Sequence, residues 1–103
     1  WLALLGEPLG AEQAEAWGLI WKAIDDDKLM EEARKLATHL ATQPTFGLGL
    51  VKRAIHASAG HTLDQQLDLE RDLQRQAGFT PDYAEGVRAF TQKRAPSFTG
   101  RKE

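Results

Sequence analysis

Three residues near the end of the chain have side chains that could hold a flat, charged ligand. Phe90 precedes the basic pair Lys93 and Arg94 by one helical turn, so an aromatic surface and a cation would be adjacent. Lysine supplies a mobile point charge suited to a phosphate or a carboxylate, and the neighbouring ring could hold an adenine beside that phosphate. If the pair lies in a last helical turn, it would instead interact with unpaired backbone carbonyls. From the residues alone, ligand contact and helix capping both remain open.

Other patterns that commonly carry chemistry are weak in this sequence. The histidines His39, His56 and His61 never stand at the i, i+4 spacing of a helical metal site, so we predict no metal site. The G-x-G at 47–49 lacks the third glycine and the preceding strand of a dinucleotide-binding motif, so we predict no dinucleotide site. The chain has no cysteine, and this excludes disulfides, thiolate metal sites and cysteine nucleophiles.

The composition is that of a single small globular domain with an uneven charge distribution. The 103 residues carry a net charge of −2, with eight Lys/Arg against thirteen Asp/Glu up to residue 84 and five against two from residue 85. Bulk electrostatics therefore argue against a nucleic-acid partner. No apolar run has the length of a membrane span, and the first residues do not resemble a signal peptide. We expect a cytoplasmic protein with neither nucleic acid nor membrane as a partner.

The elements that position these residues are predicted to be mainly α-helical. Apolar residues recur at helical spacing, and helix ends are marked by the T-x-x-Q capping box at Thr62, by Thr80 before Pro81, and by glycines. Pro96 stops the last helix. The predicted helical segments are 1–5, 11–17, 25–43, 44–58, 63–77 and 81–94.

One short strand is predicted at Leu19–Ile24, where "LIWKAI" is apolar and rich in branched and aromatic side chains. A single strand leaves its backbone groups unpaired, and no second convincing strand follows. Its neighbour would lie either on polypeptide outside this chain or on another copy of the chain. Because the chain also opens at Trp1 without an initiator Met, we expect it to be a piece of a larger protein.

Two motifs resemble the C-terminal part of the crotonase family of acyl-CoA enzymes. They lie at Leu5–Ile20 (L-G-x-x-x-x-A-x-x-A-x-x-x-G-L-I) and Asp82–Phe98 (D-x-x-E-G-x-x-A-F-x-x-K-R-x-P-x-F), and the resemblance runs over essentially the whole chain. Segments 1–29 and 41–55 are similar to the phenylacetate-degradation branch. The resemblance implies the helical trimerisation region of the crotonase fold: 1–24 ends the core, 25–95 is the C-terminal helical region, and 96–103 is a flexible tail.

The resemblance also implies an activity and a set of absences. The branch isomerises the ring epoxide of phenylacetyl-CoA to an oxepin-CoA, or shifts enoyl-CoA double bonds. Its catalytic carboxylates and oxyanion hole would lie upstream, so this chain would hold no catalytic residue and be inactive alone. Lys93 would reach the phosphate of a CoA thioester bound to a neighbouring subunit, and Phe90 would be the aromatic near it, with no separate cofactor. Gln74 replaces an aromatic CoA contact. The larger enzyme of which this chain would be a part, called the parent enzyme below, would assemble as a trimer or hexamer. The alternative is an autonomous helical self-assembly module without catalysis.

Overall fold

The structure is a computed structural model that describes residues 2–103, and those residues form six α-helices and no strand. Each predicted helical segment corresponds to one of them, with ends that differ by a few residues. Trp1, predicted to belong to the first helix end, lies outside the described residues. None of the described helices is both long and apolar enough to cross a membrane. The helices are α1 Leu2–Leu5, α2 Ala11–Ala16, α3 Asp26–Ala41, α4 Thr45–Ser58, α5 Leu63–Gly78 and α6 Pro81–Thr91.

The predicted strand at Leu19–Ile24 is wrong for this chain, because the segment is a bend followed by irregular backbone. Gly18 adopts a left-handed φ of 73°, and the N–H groups of Leu19 and Ile20 both donate to the carbonyl of Ala14, at 2.9 and 3.4 Å. The end of α2 therefore uses donors that a strand would offer to a neighbour.

The chain divides into two compact units, the first ending at Lys35 and the second starting at Leu36, so the boundary falls within α3. In the first unit, Ala14 on α2 is buried, and the Glu15 carboxylate accepts a 2.7 Å hydrogen bond from the Ala23 N–H. This bond ties the bend after α2 back to the helix. The predicted domain limits at residues 24 and 95 remain predictions.

In the second unit, α5 packs against α4 and α6 around a small apolar core. The buried apolar residues there are Leu50, Leu73 and Ala89. Local signals set the helix starts. The capping box between Thr62 and Gln65 forms as predicted. The Thr80 hydroxyl accepts from the N–H of Tyr83, as an N-cap should.

Residues Arg94 to Gly100, which we call the C-terminal strap, fold back against the start of α6. Asp82, only 4% exposed, accepts hydrogen bonds from the Thr99 N–H at 2.7 Å, the Thr99 hydroxyl at 3.1 Å and the Gly100 N–H at 2.7 Å. The Gly100 carbonyl accepts a 3.2 Å bond from the Thr45 hydroxyl on α4. The predicted flexibility of 96–103 remains a prediction.

Candidate functional site

The candidate site lies where α6 ends, and Lys93 stands beyond that end rather than in the last turn. The helix finishes at Thr91 with Gln92 as C-cap, and Lys93 has a left-handed φ of 53°. The Lys93 N–H donates to the Phe90 carbonyl at 3.2 Å and the Arg94 N–H to the Ala89 carbonyl at 3.0 Å, which is the Schellman pattern. Backbone donors therefore close this helix end, and the prediction that the basic pair sits in a last helical turn is wrong.

Lys93 occupies a position that usually belongs to glycine. It is the sole non-glycine residue with positive φ in the described part of the chain. A side chain in the left-handed region costs about 1–2 kcal/mol, because its Cβ crowds the backbone. Strain of this kind persists where neighbouring structure enforces it, and it often marks functional positions.

The two basic residues have separate roles. Arg94 forms a bidentate ion pair with Glu85, at 2.6 and 3.0 Å from its two terminal nitrogens. The Glu85 side chain is 13% exposed and also accepts a 3.0 Å bond from the Ser97 N–H. These contacts lower the pKa of Glu85 from 4.5 to about 2, with the hydrogen bonds from Arg94 contributing most and the bond from the Ser97 N–H next. By contrast, the Lys93 ammonium has no ion pair within residues 2–103, so it is available to an external anion.

Phe90 supplies an exposed aromatic surface three residues before Lys93 along the chain. Its side chain is 88% exposed and lines a mainly apolar groove of about 430 Å³. The groove lies among the ends of α4, α5 and α6. Other aromatic and apolar residues in its wall are Phe46, Tyr83, Val87 and Phe98. A flat ring could therefore pack on Phe90 within one helical turn of the Lys93 backbone.

Gln74 lies in a second groove, between α4 and α5, with Leu50 and Ile55. Gly47 and Ala77 line both grooves, so the two are neighbours on this unit. The polar Gln74 and the aromatic Phe90 are thus separated by a shared wall, and any contact of Gln74 with a ligand would be distinct from that of Phe90.

Comparison with known proteins gives this arrangement a family. The model of the Enoyl-CoA hydratase/isomerase family matches residues 2–101. The chain belongs to the enoyl-CoA hydratase/isomerase (crotonase) family. This confirms the resemblance read from the two motifs, and the helices described above match the expected mainly α part of that fold apart from the strand.

Relatives within the enoyl-CoA hydratase/isomerase family are similar along nearly the whole chain. Over 100 residues, or 97% of the chain, it is 62% identical to 1,2-epoxyphenylacetyl-CoA isomerase of Escherichia coli K12 and covers 38% of it. Over the same share it is 45% identical to a probable enoyl-CoA hydratase of Rhodobacter capsulatus, covering 39%. A crystal structure of enoyl-CoA hydratase subunit I from Geobacillus kaustophilus superposes with a TM-score of 0.89 at 33% identity, over 97% of this chain and 40% of that one. The chain thus spans well under half the length of these proteins.

Of the two site residues predicted from the sequence, Phe90 lines the groove and Lys93 does not, and a backbone hydrogen bond from the Lys93 N–H to the Phe90 carbonyl joins them. No comparison tests their contact with CoA. Sequence reasoning missed Glu85 and Asp82, the two carboxylates that hold the strap. Their partners lie 9 to 18 residues away along the chain, beyond any local pattern. The available signal was the i, i+3 spacing of the two acids on a helix that precedes a segment rich in Ser, Thr and Gly.

Proposed function

We propose that this chain forms the C-terminal helical region of an acyl-CoA isomerase or hydratase, in which it contributes CoA contacts and subunit assembly. The observation that carries the proposal is the 62% identity to a 1,2-epoxyphenylacetyl-CoA isomerase. The favoured reaction is conversion of the ring epoxide of phenylacetyl-CoA to an oxepin-CoA. Isomerisation of an enoyl-CoA double bond is the second member of the same substrate class. Cytoplasmic location belongs to the same proposal.

Phe90 and Lys93 are the proposed CoA contacts. CoA presents an adenine ring and phosphates, which an exposed ring and an ammonium with no ion pair among the described residues 2–103 complement. The ring of Phe90 provides a flat apolar surface, and Lys93 follows it in the left-handed turn just past the end of the same helix. Arg94 is a poor candidate because Glu85 already occupies its guanidinium.

The proposed role is binding rather than proton transfer, since the acid in the Phe90 groove is already occupied. Asp82 is the carboxylate in the wall of that groove, and both of its oxygens accept hydrogen bonds from the strap. Burial tends to raise the pKa of Asp82, but the bonds from Thr99 and Gly100 outweigh it, so the pKa lies below its ordinary value. A carboxylate held in this state is a weak general base.

Exposed apolar side chains support the assembly part of the proposal. Ile55 on α4 is 64% exposed, and Tyr83 and Val87 on α6 are at least half exposed. Apolar surface of this kind is commonly covered by a partner in the functional assembly. A trimer, or a hexamer of paired trimers, is the proposed assembly of the parent enzyme. We expect self-association in analytical ultracentrifugation, and a well-folded monomer at high dilution would count against it.

The same exposed faces favour a second candidate, an autonomous self-assembly module without any role in catalysis. CoA binding separates the two. In calorimetric titration we expect CoA to bind and Lys93→Ala to weaken the affinity by about 1–2 kcal/mol, as for a lost charge-assisted bond. Lys52→Ala is the matched control, because it removes the same charge from an exposed position on α4. Absence of CoA binding would favour the module.

A turnover assay tests the location of catalysis. The purified 103-residue chain is expected to convert neither 1,2-epoxyphenylacetyl-CoA nor an enoyl-CoA above the blank rate. Clear turnover by this chain alone would refute the proposal that its role is confined to binding and assembly.

A further inference from the structure

Arg94 braces the turn that contains Lys93 from both sides. Its Nε donates to the Gln92 side chain at 2.8 Å, and one terminal nitrogen donates to the Ala95 carbonyl at 3.0 Å. The same guanidinium is anchored to Glu85 by the two bonds at 2.6 and 3.0 Å. The residues before and after Lys93 are thereby tied to one fixed group on α6.

This bracing explains how a lysine remains in a conformation that favours glycine. A return of Lys93 to negative φ would redirect the chain at that point, and Arg94 would then leave Glu85. A bidentate arginine–carboxylate pair combines strength with a fixed geometry, so it can offset the local cost at Lys93. A lysine in place of Arg94 would keep the charge but lose the planar fork.

The Glu85–Arg94 pair also explains why the Lys93 ammonium does not pair with Glu85. The Glu85 carboxylate lies on the helix that leads into the turn, and an unpaired carboxylate there would attract the neighbouring ammonium. Arg94 and the Ser97 N–H occupy both of its oxygens instead. The Lys93 ammonium is then available to a phosphate.

We infer that Glu85 is a positioning residue for Lys93: through Arg94 it fixes the left-handed turn after α6 and keeps the Lys93 ammonium available for the CoA phosphate. The inference rests on the proposed function, because it takes Lys93 to be a CoA contact. Glu85 itself touches no ligand in this account, and its effect passes entirely through Arg94.

The sign of one substitution separates positioning from simple electrostatics. Removal of a negative charge near an anion site strengthens anion binding if the charge acts only through Coulomb repulsion. If Glu85 positions Lys93, the Glu85→Gln variant should bind CoA about fivefold more weakly, comparable to losing one charge-assisted contact. A role limited to stability would change the melting temperature and leave the affinity of the folded chain unaltered.

The experiment combines NMR of Lys93 with CoA titration on the 103-residue chain. The Cα and Cβ chemical shifts of Lys93 report its left-handed conformation in the free protein. Glu85→Gln and Arg94→Ala are expected to lose that signature, and Arg94→Lys to retain it in part. Arg88→Ala is the matched control, because it removes the other ion pair of Glu85, at 3.3 Å, without touching the turn.

Each outcome has a defined meaning. Loss of the left-handed signature with weaker CoA binding in Glu85→Gln, and neither change in Arg88→Ala, supports the inference. Unchanged Lys93 shifts, or tighter CoA binding, in Glu85→Gln would overturn it. If Glu85→Gln fails to fold, unchanged Lys93 shifts in Arg94→Ala would overturn it equally. If CoA does not bind, or Lys93→Ala binds CoA as the native chain does, the proposed function fails, whereas the Lys93 shifts still decide whether Glu85 sets the turn.

Discussion

The strap gives the sharpest stability prediction, through the substitution Asp82→Asn. The native carboxylate accepts from the Thr99 N–H and hydroxyl on Oδ1 and from the Gly100 N–H on Oδ2. An asparagine keeps the shape and one carbonyl oxygen. Its amide nitrogen, however, is a donor and cannot accept the third bond, so one backbone N–H is left facing another donor.

The expected cost follows from these contacts. Hydrogen bonds to a charged group contribute about 1.5–3 kcal/mol each and neutral ones about 1, while an unsatisfied buried donor costs about 1–3 kcal/mol. The strap lies at the surface and can detach, which exposes Thr99 and Gly100 to water and limits the loss to the free energy of docking. We therefore expect Asp82→Asn to lower the free energy of unfolding by about 2–3 kcal/mol.

Urea denaturation followed by circular dichroism measures this change, and amide hydrogen exchange at Thr99 and Gly100 shows whether the strap detaches. Asp72→Asn is the matched control, because Asp72 forms only an exposed pair with Arg71 and should cost less than about 0.5 kcal/mol. Equal costs in the two variants, with unchanged exchange at Thr99 and Gly100, would refute the assignment of Asp82 as the anchor of the strap.

Three further predictions follow from the same region. Lys93→Gly should raise the free energy of unfolding by about 1 kcal/mol through relief of left-handed strain, while it weakens CoA binding; urea denaturation that shows no gain would contradict the strain. Gly100→Ala should lower the free energy of unfolding, because φ is 71° at this position and the new Cβ would collide with the Thr45 hydroxyl. Adding Thr45→Ala to that variant should recover only the part of the loss that the collision causes. Glu85 has a depressed folded pKa, so its contribution is present above the ordinary 4.5 and is lost as the pH falls toward about 2. The melting temperature of the native chain should therefore fall as the pH decreases from 4.5 to about 2, and the melting temperature of Glu85→Gln should fall less over the same range.

Local signals predicted the helices well, because a helix start depends on neighbouring residues. The caps at Thr62 and Thr80 needed nothing beyond a few positions of sequence. The strand at Leu19–Ile24 failed because strand formation depends on a neighbour, and the local pattern contains no information about that neighbour. In this chain the donors of Leu19 and Ile20 close α2 instead.

The site was predicted only in part for the same physical reason. Phe90 and Lys93 are only three residues apart, so their proximity along the chain was evident, but the helical spacing assumed for Lys93 was wrong because the helix ends at Thr91. Arg94 pairs with Glu85 whereas Lys93 does not, and this difference depends on the position of Glu85. The anchoring of the strap depends on Asp82. Both interactions join residues separated by a turn of unpredicted conformation, and no periodic pattern encodes that conformation.

The most direct test of the account is a set of NOE measurements between CoA and the chain. We expect contacts between the adenine protons of CoA and the Phe90 ring, together with shift changes at Lys93, and we expect the ring contacts to vanish in Phe90→Ala. CoA contacts that lie elsewhere on the chain, or titration without any change at Phe90 and Lys93, would contradict the central claim that this helix end holds the CoA.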